Sequence, residues 1–418
     1  MNKPASVFIG FQIFFLTTAL LAAADQPSAV AGIMRDVTEL GDILQKKHAV
    51  FDPAASTNIT AAIIKAIDHY AEVLTKEQAE RRAEELRGVF YGVGMSITIK
   101  NKLPTVMEVI KGGPAETANL KAGNIIEKIG DQKTEGLLLE AVVSKLRGAK
   151  DETVRLTIRS GDKNAETNEF ALKRTIVQIP VAGVTEDWPY QMRFIKVNGL
   201  YENSGAQITS QLVAWAETNC AGIILDLRNA DGGDLQAAAD TAALFLPGNG
   251  KAPIMNVRDG SGSVVSSYTG KAGKAIEAPL MVLINRDTSN AAEALAAALG
   301  GGKGVLLIGT PTRGDDCLRE FVPLADGRIV YLATRRIEIN RGASYHGTGV
   351  NPHVSVTQAN DPVKAEVTTG DDENGLFTKL SEEEKLNRAL LRRTKGDAVL
   401  QRATDILLGL KALNIKVR

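Results

Sequence analysis

The stretch NRDTSNAAEALAAAL, residues 285–299, sets three polar side chains, Thr288, Ser289 and Asn290, between two apolar segments. Met281–Ile284 reads as a strand, and the alanine-rich run after Asn290 reads as a helix. A strand-to-helix turn is a natural seat for a nucleophile, because the helix N-terminus offers unpaired N–H groups and the positive end of a dipole. Ser289 carries the hydroxyl that such chemistry needs. Asn290 carries an amide, whose delocalised nitrogen lone pair does not attack a carbonyl. Ser, Thr and Asn are also the residues that cap helices, so capping competes with catalysis at this turn.

Other reactive side chains are few. Cys220 and Cys317 could form one disulfide in an oxidising compartment, or remain buried thiols. They make neither a disulfide framework nor a cysteine-based zinc site, and no histidine stands near either in sequence to suggest a thiol nucleophile. His48 and His69 fall in a helical region and read as surface residues. Neither a metal nor a cofactor is expected.

The elements that position these residues follow from length and pattern. A chain of 418 residues suggests two or three domains. Lys+Arg and Asp+Glu both number 49, so no net charge points to nucleic acid or to an anionic membrane surface. Lys3, the apolar run Val7–Leu21 and the small residues Ala22 and Ala24 have the form of a signal peptide, 1–24. The run is short and contains Gly10 and Gln12, so export to the periplasm or exterior is expected, with no stable membrane span.

Residues 25–87 read as helical, with a charged face in TKEQAERRAEELRG that ends at Gly88. Residues 88–176 hold short alternating strands such as TVMEVI and VRLTIR, with Pro114 opening a short helix and Gly123 closing a turn. From 177 to 358, strand and helix alternate: GIILDLRN, LQAAADTAALFL, PLMVLIN, AAEALAAAL, GVLLIGT. That order predicts a parallel α/β core with right-handed crossovers. The glycines at 300–304 precede a strand and lack Walker spacing, so they read as a tight turn. In 359–418 a polar linker, TTGDDENG, leads to two helices. Ser381 and Glu384 form a capping box, and Asp397 can cap the second helix. There Val399, Leu400, Ala403, Ile406, Leu407 and Leu410 make one packing stripe.

Within 88–176, YGVGMSI and GPAETANLKAGNII together resemble the PDZ domains of bacterial proteases. The resemblance makes Gly92, Val93, Gly94 and Met95 the loop whose N–H groups converge on a peptide's terminal carboxylate. Asn124 stands where the pattern has Asp, at a structural turn outside the groove.

Taken together, these parts resemble the C-terminal processing peptidases, or tail-specific proteases. LDLRNADGGDL, VLINRDTSNAAE, IGTPTRGDDCLR and YHGTGVNPHVSV each match a family motif, covering roughly residues 30–358. The resemblance implies an α/β multidomain fold: a crotonase/ClpP-like core, an inserted PDZ domain and flanking helices. It places the serine nucleophile at Asn290, the general-base lysine at Asp315 and a supporting glutamine at Arg319. Gly232 and Gly233 occupy the glycine pair whose N–H belongs to the oxyanion hole.

A serine–lysine dyad needs a hydroxyl and a desolvated, neutral lysine. An amide and a short carboxylate supply neither. Ser289 is the alternative nucleophile, but neighbouring helical residues differ in direction by about 100°, which would aim it away from the dyad. Helix capping is its blander role. His346 and His353 lie in the closing motif with no acid partner at a triad-like spacing, and are not expected to act as bases. The expected function is that of a non-catalytic family member binding peptide or protein C-termini, with an active protease relative as a candidate partner. Two readings compete with it: an active serine endopeptidase using Ser289 or a non-standard base, and a structural oligomer assembled through the tail helices.

Overall fold

A computed structural model describes Arg35, Glu39 and residues 61–66, 68–100, 102–160, 167–178, 182–202, 204–218, 220–246, 252–271, 275–340, 344–357 and 381–415. The expected leader at 1–24, His48 and the linker TTGDDENG lie outside these residues. The chain forms two compact units, Met1–Val73 and Leu74–Arg418. In the first, Arg35, Glu39 and residues 61–66 are helical. His69 falls in a turn beyond that helix, not on it, and meets Tyr70 edge-on.

The second unit opens with α1, Lys76–Leu86, closed by a capping box in which Thr75 and Gln78 exchange hydrogen bonds. β1 (Val89–Gly92) leads into β2 (Met95–Lys100), β3 (Leu103–Val109), the short helix α2 (Pro114–Thr117), β4 (Ile125–Ile129), α3 (Leu139–Leu146), β5 (Thr153–Arg159) and β6 (Thr167–Lys173). These strands form an antiparallel sheet in the order β2-β3-β4-β5-β6. Its core is its own: Val93, Val106, Ile126, Val142, Leu156 and Leu172 belong to one buried cluster. In β5, Val154, Leu156 and Ile158 are buried while Thr153 and Arg155 are exposed, the alternation that VRLTIR predicts. β7 (Thr175–Gln178) then pairs antiparallel with β1, Gly92 opposite Thr175.

Beyond it run β8 (Ala182–Trp188), β9 (Met192–Val197), α4 (Ser204–Ala216), β10 (Gly222–Asp226), α5 (Leu235–Ala243), β11 (Met255–Asp259), β12 (Val264–Tyr268), β13 (Leu280–Ile284), α6 (Asn290–Gly300), β14 (Val305–Gly309), β15 (Cys317–Pro323), β16 (Ile329–Ile339) and β17 (Val354–Ser355). The central sheet has the order β8-β9-β10-β13-β14-β17 and is parallel from β9 to β17, with β8 antiparallel at one edge. Every residue of β10 and β13 is buried, as a parallel strand covered on both faces requires. The strand–helix alternation of the sequence is therefore met. A second, antiparallel sheet holding β15, β16, β11 and β12 departs from that alternation.

On one face of the parallel sheet, Ile223, Leu225 and Val282 pack with α4, α5 and the alanines of α6. On the other, Ile224, Met281, Leu283 and Ile308 meet the tail helix α8 (Ala398–Ala412), which follows α7 (Glu382–Thr394). Val399, Leu400, Ala403 and Leu407 are buried there, and Ile406 and Leu410 are partly buried at the margin. Gly222 makes the approach possible, since a Cβ there would lie 2.3 Å from Leu407. Asp397 accepts the Leu400 N–H at 2.9 Å and pairs with Arg228 at 2.7 Å, tying the helix start to the end of β10. No helix among the described residues is long and apolar enough to cross a membrane.

Candidate functional site

The loops after β10 and β13 leave the carboxyl ends of adjacent parallel strands, where open α/β sheets place their binding crevice. Two asparagines lock these loops together: Asn285 Nδ2 donates to Asn229 Oδ1 at 2.7 Å, and Asn229 N–H donates to Asn285 Oδ1 at 3.0 Å. Thr288 donates its hydroxyl to Leu227 O at 2.8 Å and is fully buried, so it is spent on structure.

Ser289 occupies the N-cap position of α6, but its hydroxyl makes no capping bond. It donates to Asp231 Oδ1 at 3.0 Å. Asn290 donates its side-chain amide to the same oxygen and takes the left-handed conformation, φ 51°. The two side chains thus converge on one carboxylate instead of diverging, and the expectation of a simple cap at Ser289 is corrected. The cause is the backbone: with Asn290 left-handed, helical angular spacing does not apply at the first residue. Asn accepts that conformation better than most residues.

Gly232 has φ 110°, and a Cβ there would fall 2.3 Å from Leu200 O. Only glycine fits. Its carbonyl accepts the Ala291 N–H at 2.8 Å, holding the glycine pair against the first turn of α6. Among the described residues, neither Gly232 nor Gly233 donates its N–H to a backbone hydrogen bond of this loop; Gly232 is buried and Gly233 exposed.

Asp315 commits its carboxylate to an ion pair. It is held by Arg319 in a two-pronged pair at 2.6 and 3.2 Å, with both side chains 6% exposed. The two expected dyad-side positions are therefore bound to one another. Glu293, fully buried on α6, fixes this loop by accepting from the Thr312 hydroxyl, from Gly314 N–H at 2.6 Å and from Asp315 N–H at 3.1 Å. Burial raises its carboxyl above the ordinary range, and those three donors oppose the rise.

Asp316, also buried, pairs with Arg336 at 2.7 Å and with His346 Nδ1 at 2.7 Å. His346 does have an acid partner, contrary to the sequence expectation, and Cys317 has that histidine near it. Cys220 and Cys317 are both free thiols. Burial, then Asp315 and Asp316, push the Cys317 thiol up to about 12, which makes it a poor nucleophile near neutrality. His353 accepts the Leu307 N–H at 2.9 Å through Nδ1, a structural use of its lone pair.

In the antiparallel domain, Gly92, Val93 and Gly94 are buried and Met95 is half-buried. The Val93 carbonyl accepts Ala115 N–H and the Gly94 carbonyl accepts Ile110 N–H, each at 2.9 Å. The glycine loop and the GPAET helix are thus two halves of one turn, which is why the motifs occur together. Asn124 Oδ1 accepts Lys121 N–H at 2.8 Å, the turn-closing bond an aspartate would also make. A cavity of roughly 300 Å³ lies between α1, the end of α3 and the core, lined by Arg82, Glu85, Arg147, Tyr201, Asp231 and Gly232. Burial, then the Asp231 charge, push the Tyr201 hydroxyl up to about 12.

Asp231, Glu293 and Asp316 are the residues sequence reasoning passed over. Asp231 lies within LDLRNADGGDL, directly before the glycine pair, and that position was the available signal.

A parallel α/β sheet, a sharp turn at the end of a central strand and an antiparallel domain with a glycine loop define a PDZ-bearing peptidase architecture. The profile of peptidase family S41 matches residues 192–356, and that of the PDZ domain residues 87–159. Over 295 residues the chain is 31% identical to the carboxyl-terminal-processing protease of Synechocystis sp., covering 69% of this chain and 68% of that protein. A protein of Staphylococcus haemolyticus named as a CtpA-like serine protease is 25% identical over 289 residues, 69% of this chain and 57% of the relative. The chain spans less than two thirds of that staphylococcal protein's length. A solved structure assigned as an S41 protease from Bacteroides fragilis shares the fold at 16% identity and TM-score 0.52, with 87% of this chain and 93% of that chain covered. The chain belongs to the carboxyl-terminal-processing proteases of family S41 and carries a PDZ domain.

Proposed function

We propose that this chain is an exported, non-catalytic member of its family that holds peptide or protein C-termini through the PDZ loop and the core cleft. The observation that carries the reading is the pairing of Asp315 with Arg319, which commits the base position to a buried ion pair. Asn290, at the nucleophile position implied by the family motif, spends its amide on Asp231. In this reading the glycine pair, Gly232 and Gly233, receives a peptide carbonyl. Export rests on the leader-like residues 1–24, and the division into domains at 88, 177 and 359 on the sequence pattern. An active relative is the natural partner of such a binder.

The test is a titration with a peptide ending in apolar residues, as the free acid and as the amide. The acid should bind more tightly by about 1.5–3 kcal/mol, the worth of hydrogen bonds to a charged group. Gly94→Ala should weaken it, since Gly94 has φ 75° and a Cβ there would lie 3.0 Å from Gly113. Equal affinity for acid and amide would refute carboxylate reading by this loop.

The Ser289–Asp231 hydrogen bond at 3.0 Å favours one competing reading, a serine endopeptidase with a carboxylate base. Incubation with an unfolded substrate carrying an apolar tail decides between them. Cleavage that is abolished in Ser289→Ala would establish the active enzyme, and an intact substrate supports the binder.

A further inference from the structure

We infer that Asp316, Cys317 and His346 form a binding site for one borderline divalent cation, of which Zn²⁺ is the biological example. A carboxylate oxygen, the thiol sulfur and an imidazole nitrogen from these three residues all lie within 4.8 Å of one another. Tetrahedral zinc bonds of about 2.0–2.3 Å separate neighbouring ligand atoms by roughly 3.3–3.8 Å, so an ion is accommodated by shifts of about 1 Å or less. The two oxygens of Asp316 are divided between tasks. Oδ2 takes the Arg336 guanidinium at 2.7 Å. Oδ1 faces His346 Nδ1 at 2.7 Å and Cys317 Sγ at 3.6 Å.

That division is the one a coordinated carboxylate shows, with one oxygen on the ion and the other oriented by a hydrogen-bonding partner. Arg336 also approaches Oδ1 through Nε at 3.3 Å, but its side chain is 55% exposed and can give way. Cys317 is half-buried and the His346 side chain 54% exposed, so an ion and a fourth, water ligand can enter from solvent. On binding, the thiol proton and the proton that His346 Nδ1 shares with Asp316 both leave to solvent, the imidazole keeping or taking its remaining proton on Nε2, and the Asp316–His346 hydrogen bond is replaced by two metal–ligand bonds. The hydroxyl of Tyr345, the residue before His346, is buried and has no hydrogen-bond partner among the described residues.

The ligand types select the ion. Thiolate and imidazole suit zinc and cobalt, and are poor partners for magnesium or calcium, which take oxygen ligands. The ion would join the loop beside Asp315 to the closing motif, whose Gly347 N–H already donates to Gly314 O at 2.8 Å.

The experiment uses the full chain, reduced and stripped of metal by chelator, titrated with Co²⁺ and then with Zn²⁺. Saturation near one Co²⁺ per chain is expected, with a sulfur-to-cobalt charge-transfer band that Zn²⁺ abolishes and Mg²⁺ does not. Cys317→Ser should lose the band, His346→Ala should weaken binding tenfold or more, and Cys220→Ser should change neither. Because His346 is exposed, His346→Ala keeps the test decisive should Cys317→Ser misfold, circular dichroism reporting on the fold of each. A band that survives in Cys317→Ser, uptake that is equal in wild type and His346→Ala, or no saturable uptake would each overturn the site.

Discussion

Arg319 and Asp315 bury opposite charges where water cannot compensate either one. Removing one partner of such a pair strands the other, at a cost of about 3–5 kcal/mol. Asp315→Ala and Arg319→Ala should each lower stability in urea by that order, and the double variant by less than the sum. The same reasoning governs restoration of a serine–lysine dyad. Asn290→Ser with Asp315→Lys would set a lysine beside Arg319, so Arg319→Gln becomes a required third change. We predict cleavage of an unfolded substrate only when positions 290 and 315 are both changed, and better folding of the triple variant than of the double. Serine at 290 inherits the left-handed backbone, at a cost of about 1–2 kcal/mol. Soluble, folded triple variant without activity would show that the cleft differs from that of active relatives in more than these residues. Glu293 gives a pH prediction. Its carboxyl is raised by burial, so its stabilising contribution is full below the ordinary Glu value and is lost as pH rises through the raised one. Relative to Glu293→Gln, the wild type should therefore lose stability between acid and neutral pH, read from melts across that range.

The elements with unbroken apolar runs were legible in the sequence, because a parallel strand buried on both faces needs such a run. β10 and β13 are buried at all positions. The antiparallel sheet was not legible. Its long strand β16 carries Thr334, Arg335, Arg336 and Glu338 among buried Val330, Tyr331, Ile337 and Ile339, so neither period stands out. Motif spacing named Asn290, Asp315 and Arg319, and the structure pairs the last two with each other. Other pairings were not legible, because Asp231 and Asn290 meet across 59 residues and Asp316 and His346 across 30. The tail helix was readable as a stripe but not as the cover of the sheet's second face. Leu407, 1% exposed against Gly222, tests that role. Leu407→Ala should cost about 2–5 kcal/mol in chemical denaturation. A loss near zero would show that α8 is not needed to cover the sheet.

At the scale of the molecule, the PDZ domain is closed by its own core and joined to the rest through a pair of strands. Residues 87–178, expressed alone, should unfold in one cooperative transition, seen by circular dichroism, because the buried cluster from Val93 to Leu172 lies within them. A non-cooperative melt would mean that the domain depends on the core for its order. The β1–β7 ribbon carries a consequence for how such chains can be assembled. Val89 lies opposite Gln178 and Gly92 opposite Thr175, so the chain exits and re-enters the core side by side. An insertion with adjacent ends leaves its host's geometry unchanged whatever its length, and closure entropy grows only with the logarithm of that length. The PDZ domain is therefore a replaceable cassette. Exchanging residues 93–174 for another domain with paired ends would leave every residue of the core's cleft unaltered.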